Sequence, residues 1–241
     1  MTRGATPIVA LDVATTREAL AIAQELGDSC RFYKVGSELY TAEGPAVVRS
    51  LQDDLGADVF LDLKFHDIPN TVAGAVRSAA ALGVRLLTVH ASGGEAMLRA
   101  AQDAAGDACG ILGVTVLTSF DGASLARAWG RAALAVDEEV GRLAADAAAA
   151  GLHGVVCSGA EVRRITSAHP DLALLVPGIR LPGGAAHDQQ RVVTPSAAQA
   201  SGARYVVLGR AVTAAPDRRV AMGEVLAELS SGVVRGVAGE R

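Results

Sequence analysis

The chain has 241 residues, of which 50% are hydrophobic and 20% charged, with a formal net charge of -4 at pH 7. This composition is typical of a soluble globular protein, and the acidic balance argues against nucleic acid or an anionic membrane as the main partner. No stretch resembles a membrane span, and the first residues lack a signal-peptide pattern, so we expect a cytoplasmic protein.

Short apolar runs rich in β-branched residues alternate with alanine-rich periodic segments along the whole chain. The predicted helices open on a polar residue or proline and close on glycine, as in "TTREALAIAQELG" and "NTVAGAVRSAAALG". We expect Asn70 to cap the second of these. The predicted strands are Ile8 to Val13, Phe32 to Val35, Val59 to Lys64, Leu86 to His90, Gly110 to Thr118, Gly154 to Cys157, Ala173 to Val176 and Tyr205 to Leu208.

This alternation predicts an α/β protein with parallel strands joined by crossover helices. Eight such units in this length favour a TIM (β/α)8 barrel over an open doubly wound sheet. The first predicted turn, "LDVATTREA", also lacks the Gly-x-Gly-x-x-Gly of a dinucleotide-binding sheet. No linker divides the chain, so residues 1–241 are expected to form a single domain, with frayed ends at 1–6 and 232–241.

The cysteines and lysines are few. Cys30, Cys109 and Cys157 are widely spaced, which predicts small buried hydrophobic residues and neither disulfides nor a cysteine metal site. Of the 22 basic residues only Lys34 and Lys64 are lysine. A chain that uses arginine almost everywhere else has kept lysine at two positions, which suggests a need for a compact ammonium group there.

Polar residues fall at the ends of the predicted strands, where TIM barrels place their active sites. They are Asp12, Lys34, Asp62, Lys64, His90, Thr118, Ser119, Arg180 and Arg210. Along the third predicted strand, Asp62 and Lys64 share a face because side chains alternate. A charged pair inside a barrel needs compensation, so it is either a reacting pair or a structural ion pair. His66 and His90 are expected to be structural.

Two glycine-arginine combinations follow the seventh and eighth predicted strands, Gly178 with Arg180 and Gly209 with Arg210. Glycine lets backbone N–H groups approach an anion, and arginine binds phosphate oxygens in pairs, so these loops predict a phosphate site. Surface arginines in glycine-rich turns are the alternative. The loop from Leu181 to Gln190 is either a lid over the ligand or a surface loop.

Lys64 is flanked by carboxylates, which favour its charged ammonium form. We therefore expect Lys64 to be a proton donor rather than a Schiff-base nucleophile, which would have to be neutral.

The stretch "LDLKFHDIPNTV" resembles the Asp-x-Lys-x-x-Asp-Ile-Pro-Asn-Thr signature of the orotidine 5'-phosphate decarboxylase family. The resemblance extends through "ALDV", "YKVGSEL", "TVHASGG", "TVLTS", "PGIR", "DQQR" and "VLGRAVT". It implies a TIM-barrel lyase that converts orotidine 5'-phosphate to uridine 5'-phosphate (UMP), the last step of de novo pyrimidine nucleotide synthesis. It also implies a homodimer with shared active sites and neither a metal nor an organic cofactor.

Residue roles follow from the resemblance by position. Lys34, Asp62 and Lys64 would form a charged array completed by Asp67 of the other subunit, and Lys64 would protonate the ring carbon. Asp62 would lie against the substrate carboxylate. The other implied substrate contacts are Asp12 and Lys34 for the ribose, Ile68 and Thr71 from the partner subunit, Thr118 and Ser119 for the pyrimidine, and Pro177, Arg180, Gln189, Gly209 and Arg210 for the phosphate.

Two other functions remain open at this point. A sugar-phosphate decarboxylase or aldolase of the same suprafamily would act through a magnesium-bound enediolate, but "IPNTV" and "LTS" are of the nucleotide type. A non-catalytic nucleotide-binding barrel would have no need of the costly cluster of Asp62, Lys64 and Asp67.

Overall fold

Eight parallel strands close into a barrel in the computed structural model, which describes residues 4–181 and 193–235. Each strand pairs with the next along the chain, and the eighth pairs with the first, so the TIM-barrel prediction is confirmed. The strands are β1 (Thr6–Ala10), β2 (Phe32–Gly36), β3 (Asp58–Phe65), β4 (Leu86–His90), β5 (Gly110–Val114), β6 (Gly154–Val156), β7 (Ala173–Val176) and β8 (Tyr205–Leu208).

Helices return the chain between strands and cover the outside of the barrel. They are α1 (Thr16–Leu26), α2 (Ser37–Glu43), α3 (Ala46–Leu55), α4 (Pro69–Ala80), α5 (Glu95–Ala105), α6 (Gly122–Ala128), α7 (Val136–Ala149), α8 (Val162–Ala168), α9 (Pro195–Ala200), α10 (Arg210–Thr213) and α11 (Arg218–Arg235). The first illustrates how local sequence sets a boundary: Thr15 and Glu18 bond each other's backbone N–H groups in a capping box.

Four predicted boundaries, two at the ends of the chain and two at the ends of the first strand, are wrong. β1 begins at Thr6 because the Thr6 N–H reaches the carbonyl of Arg204 at 2.9 Å, and it ends at Ala10, where pairing with β2 stops. Thr6 therefore belongs to the sheet rather than to a frayed end. Residues 232–235 likewise continue the last helix.

Two further boundaries differ because of specific local contacts. β5 ends at Val114 rather than Thr118, since the Val156 carbonyl accepts both the N–H and the hydroxyl of Thr115 and closes the ladder. α4 begins at Pro69, so Asn70 lies in its first turn and is not the cap. Proline suits the first helical position because its fixed φ matches the helix and its missing N–H is not needed there.

The core has two regions, one inside the barrel and one between the strands and the helices. Both faces of each strand are therefore buried, which explains why the strands read as continuous apolar runs. The inward-facing residues alternate along the strands and fill the barrel below the mouth; they are Ile8, Ala10, Phe32, Phe60, Leu86, Leu112, Ala173, Leu175, Tyr205 and Val207. The interior below the mouth is thus a packed core.

His153 lies at the amino-terminal end of the strands, away from the predicted site. Its ring lies 3.3 Å from the Tyr205 hydroxyl, measured from Nε2. Burial lowers the pKa of His153 below its usual value of 6.5, and the positive charges of Arg204 and Arg85 lower it further. The folded protein therefore favours the neutral imidazole.

This arrangement predicts a specific pH dependence of stability. A histidine whose pKa is lowered on folding contributes its full stability above the unfolded pKa of about 6.5 and loses it as the pH falls below that value. The free energy of unfolding, measured with urea at several pH values, should fall more steeply below pH 6.5 for wild type than for His153→Gln. The difference between the slopes can reach at most about 1.4 kcal/mol per pH unit for one proton. Carboxylate groups titrate in the same way in both proteins. Parallel plots of the free energy of unfolding against pH would therefore contradict a lowered pKa of His153.

Candidate active site

A cavity of about 470 Å³ opens at the carboxyl-terminal end of the strands. Its floor is apolar and includes Ala10, Phe60 and Val207, which belong to the barrel core. Most of the residues predicted from the sequence line it: Asp12, Lys34, Asp62, Lys64, Thr118, Pro177, Arg180, Gly209 and Arg210. A cavity of this size with an apolar floor and polar walls suits a small molecule that has an apolar ring and charged ends.

Four charged side chains alternate in sign along one wall. The Lys34 ammonium lies 2.8 Å from Asp12 Oδ1 and 3.8 Å from Asp62 Oδ2. The Lys64 ammonium lies 2.8 Å from the same Oδ2 of Asp62. The side chains of Lys34 and Asp62 are only 12% and 14% exposed, whereas that of Lys64 is 36% exposed at the mouth. Both lysines of the chain therefore share one carboxylate, which compensates the buried charge.

Glycine at position 36 makes room for this array. A Cβ there would lie 3.0 Å from Lys34 Nζ and 3.4 Å from Asp12 Oδ1. Gly36 stands at the end of β2, and the sequence analysis did not identify it. A side chain here would be in tight contact with the ammonium group, so glycine lets Lys34 Nζ lie close to the backbone of β2 without displacement.

The strand that carries Asp62 and Lys64 is irregular at these residues. Leu61 pairs with Leu87 and Phe65 with Val89, so three residues of β3 stand opposite one residue of β4. Lys64 has φ of 52°, and among the described residues it is the one non-glycine with positive φ. This irregular stretch is a β-bulge. Alternation of side chains along a regular strand predicted that Asp62 and Lys64 share a face, but Lys64 reaches its position through the bulge.

Thr88 is the β4 residue opposite the bulge, and the sequence analysis missed it. It is fully buried, its Oγ1 accepts the Lys64 N–H at 2.9 Å, and its hydroxyl donates to Asp62 Oδ1 at 2.9 Å. The sequence contained one indication of Thr88: it is a polar residue two positions after Leu86, and therefore on the strand face that lines the barrel interior.

The opposite wall carries the predicted phosphate residues. Arg180 is 8% exposed, and its Nη1 donates to the Ile179 carbonyl at 2.8 Å. Gly178 has φ of 76°, a conformation that few other residues adopt. Gly209 precedes the short helix α10, whose first residue is the exposed Arg210. Two guanidinium groups, one buried and one exposed, thus lie on the wall of a single cavity.

Several predicted contacts do not line this cavity. Asp67, Ile68, Thr71 and Ser119 are exposed on the surface of the chain. Asp67 Oδ1 accepts the N–H of Ile68 at 2.6 Å, and Ile68 itself is 67% exposed. Gln189 and residues 182–190 of the predicted lid lie outside the described residues.

His66 and His90 form a pair of rings beside the charged array, with ring centres 5.4 Å apart. The pKa of His90 is lowered first by burial, then by the neighbouring His66 and Lys64, while Asp62 acts in the opposite direction. The surroundings of His90 therefore favour its neutral form.

Within residues 4–181 and 193–235, no three or more His, Cys, Asp or Glu side chains are grouped so as to hold a metal ion. Across the same ranges, we find no helix with the length and apolar character needed to cross a membrane.

Comparisons with known proteins agree with these features. The family model for the "Orotidine 5'-phosphate decarboxylase / HUMPS family" matches residues 6–225. An orotidine 5'-phosphate decarboxylase of Sodalis glossinidius is 50% identical over 95% of this chain and 92% of its own length, and one of Dichelobacter nodosus is 48% identical over 92% and 97%. The crystal structure of orotidine 5'-phosphate decarboxylase from Lactobacillus acidophilus, at 35% identity, covers 94% of this chain and 99% of its own with a TM-score of 0.82.

The positive φ of Lys64 predicts an unusual pattern of stability. At a left-handed position glycine should be more stable than alanine, by about 1 kcal/mol, because alanine suffers a Cβ clash. Lys64→Gly should therefore unfold at higher urea concentration than Lys64→Ala. The matched pair at Lys34, an ordinary strand residue in β2, should show the opposite order because glycine weakens strands. The same order at both positions would contradict the strained conformation.

Proposed function

The chain belongs to the orotidine 5'-phosphate decarboxylase family of carboxy-lyases, and on that premise we propose that it catalyses the last step of UMP synthesis with Lys64 as proton donor. The observation that carries this proposal is the Lys64 ammonium 2.8 Å from Asp62 Oδ2, in a cavity whose other wall holds Arg180 and Arg210. The donor and the anion-binding groups face a single ligand-sized space.

The proposed substrate orientation uses both walls. The pyrimidine ring lies over the apolar floor near Thr118, and the phosphate binds Arg180 and Arg210. Pro177, Gly209 and Gln189 complete this phosphate site in the proposal. The ribose hydroxyls contact Asp12 and Lys34, whose own ion pair holds both groups in place. Binding energy from the remote phosphate then becomes available at the reacting end.

The proposed reaction requires no additional reagent. The bond between the ring carbon and its carboxylate breaks, the electron pair remains on the ring carbon, and carbon dioxide leaves. The Lys64 ammonium stabilises this carbanion and then transfers a proton to it, after which the neutral amine regains a proton from solvent. Asp62 lies beside the departing carboxylate, where repulsion between like charges destabilises the bound substrate.

The homodimer is proposed from the exposed segment that follows β3. Asp67 makes no ion pair with any described residue, and it stands beside Ile68, a large apolar side chain that is mostly exposed. These residues and Thr71 would complete the active site of the partner subunit, with Asp67 extending the alternating charges beyond Lys64. Burial against a second subunit would also remove Ile68 from water.

The reducing cytoplasm is the proposed compartment, because the buried Cys30 and Cys109 carry free thiols. The family description also covers HUMPS proteins. The relatives at 48% and 50% identity carry the decarboxylase name, which favours the nucleotide substrate over a sugar phosphate.

The direct test follows the absorbance loss of orotidine 5'-phosphate in the presence of a chelator. Wild type should be active, and Lys64→Ala should lose at least about a hundredfold in turnover because the general acid is gone. Arg99→Ala is the matched control, since Arg99 is a surface cation paired with Glu95 on α5 and should leave turnover unchanged. An inactive wild type, or a Lys64→Ala variant that matches wild type, would refute the mechanism.

Shared sites are tested by mixing inactive variants. Subunit exchange between Lys64→Ala and Asp67→Ala proteins should restore up to about a quarter of wild-type activity, because each mixed dimer has one site with both residues native. The control mixes Lys64→Ala with Asp62→Ala. Both of these residues lie on one strand of one chain, so no mixed site is complete and no activity should return. Failure of the first mixture despite demonstrated exchange would exclude a shared site.

A further inference from the structure

Thr88 stands at the point where the strand irregularity and the charged array meet. It is a polar residue at an interior position of β4, two residues from Leu86 in the barrel core and two from His90 at the mouth. Its side chain is fully buried, so its hydroxyl has no access to water as an alternative partner. Such a group is retained in a core only if its hydrogen bonds are satisfied.

The two hydrogen bonds of this hydroxyl have fixed directions. The Lys64 N–H can only donate, so Thr88 Oγ1 is the acceptor in that bond. The hydroxyl proton is then available for Asp62 Oδ1, and an ionised carboxylate can only accept. One oxygen atom therefore connects the backbone of the proton donor to the carboxylate that binds its ammonium group.

These bonds act on the two features that place the ammonium. The bulge removes the Lys64 N–H from the regular ladder between β3 and β4, and Thr88 supplies the partner that the ladder would have provided. The left-handed conformation of Lys64 is thus held by a specific bond. The second bond occupies Oδ1 of Asp62 and leaves Oδ2 for the ammonium groups of Lys64 and Lys34.

We propose that Thr88 is a positioning residue that sets the Lys64 ammonium and the Asp62 carboxylate in their reactive arrangement through its hydroxyl group. This inference rests on the proposed function, in which Lys64 delivers the proton. Thr88 does not line the cavity, so it acts through its two neighbours and not on the substrate. Its loss should therefore reduce the rate of the chemical step more than the binding of substrate.

The test compares kcat and KM for orotidine 5'-phosphate in Thr88→Val and Thr88→Ser. Valine has nearly the shape of threonine but no hydroxyl, so kcat should fall by about 10- to 100-fold while KM changes by less than about threefold. Serine keeps the hydroxyl and should stay within about threefold of wild type in kcat. If Thr88 were merely structural, Thr88→Val would lose stability but would not show this separation of kcat from KM.

Thr115→Val is the matched control. Thr115 is also a buried threonine; it lies directly after β5, and its hydroxyl donates to the Val156 carbonyl at 2.8 Å rather than to Asp62. This variant should lose stability to unfolding but keep kcat within about twofold. A tenfold loss of kcat in Thr115→Val would show that any lost buried hydroxyl slows the enzyme, which would overturn the specific role of Thr88.

The outcomes separate this inference from the function on which it rests. If wild type is active and Lys64→Ala is not, but Thr88→Val keeps wild-type kcat, only the role of Thr88 is refuted. If Lys64→Ala keeps wild-type activity, the proposed function itself fails. Should Thr88→Val not fold, Thr88→Ser and Thr88→Ala carry the test, and kcat values within threefold of each other would overturn the inference.

Discussion

The carboxylate of Asp62, shared by the ammonium groups of Lys34 and Lys64, is the interaction on which the site depends. Charges this far inside a barrel mouth are stable only when every one has a partner. The row of alternating charges formed by Asp12, Lys34, Asp62 and Lys64 meets that requirement. These residues come close together because β1, β2 and β3 are neighbouring strands of the barrel. The barrel keeps the side chains of Lys34 and Asp62 largely away from water. Electrostatic interactions between these groups and a bound anion are stronger there than they would be in water.

The same site contains the least regular backbone of the barrel. Lys64 has positive φ within a strand whose pairing with β4 is interrupted, and strain of this kind persists only where the surroundings enforce it. The surroundings here are the Thr88 hydroxyl and the ion pair to Asp62. A regular strand would keep the Lys64 N–H in the ladder and direct the side chain by simple alternation. Stability is thus reduced locally in return for the position of one ammonium group.

The sequence predicted the barrel and most of the cavity wall because both depend on local patterns. Apolar runs mark strands, and polar residues at their ends mark the mouth, so Asp62, Lys64 and Arg180 were identified correctly as neighbours of one cavity. Cross-strand contacts left no such local pattern. Periodicity does not specify how β3 pairs with β4, so it could not predict the bulge or the position of Thr88 opposite it. It also does not specify how closely the backbone of β2 approaches the Lys34 ammonium group at Gly36. Pro69 likewise overrode the capping preference of Asn70.

In the proposed mechanism the Lys64 ammonium transfers its proton to the ring carbon. Because proton transfer is reversible at the same site, the enzyme in D2O should exchange the hydrogen at that carbon of uridine 5'-phosphate for deuterium. Loss of this proton signal can be followed by NMR, with nucleotide binding to each protein measured in parallel. Wild type should catalyse the exchange, and Lys64→Ala should bind the nucleotide without exchanging it. Equal exchange rates in the two proteins would show that Lys64 is not the proton donor.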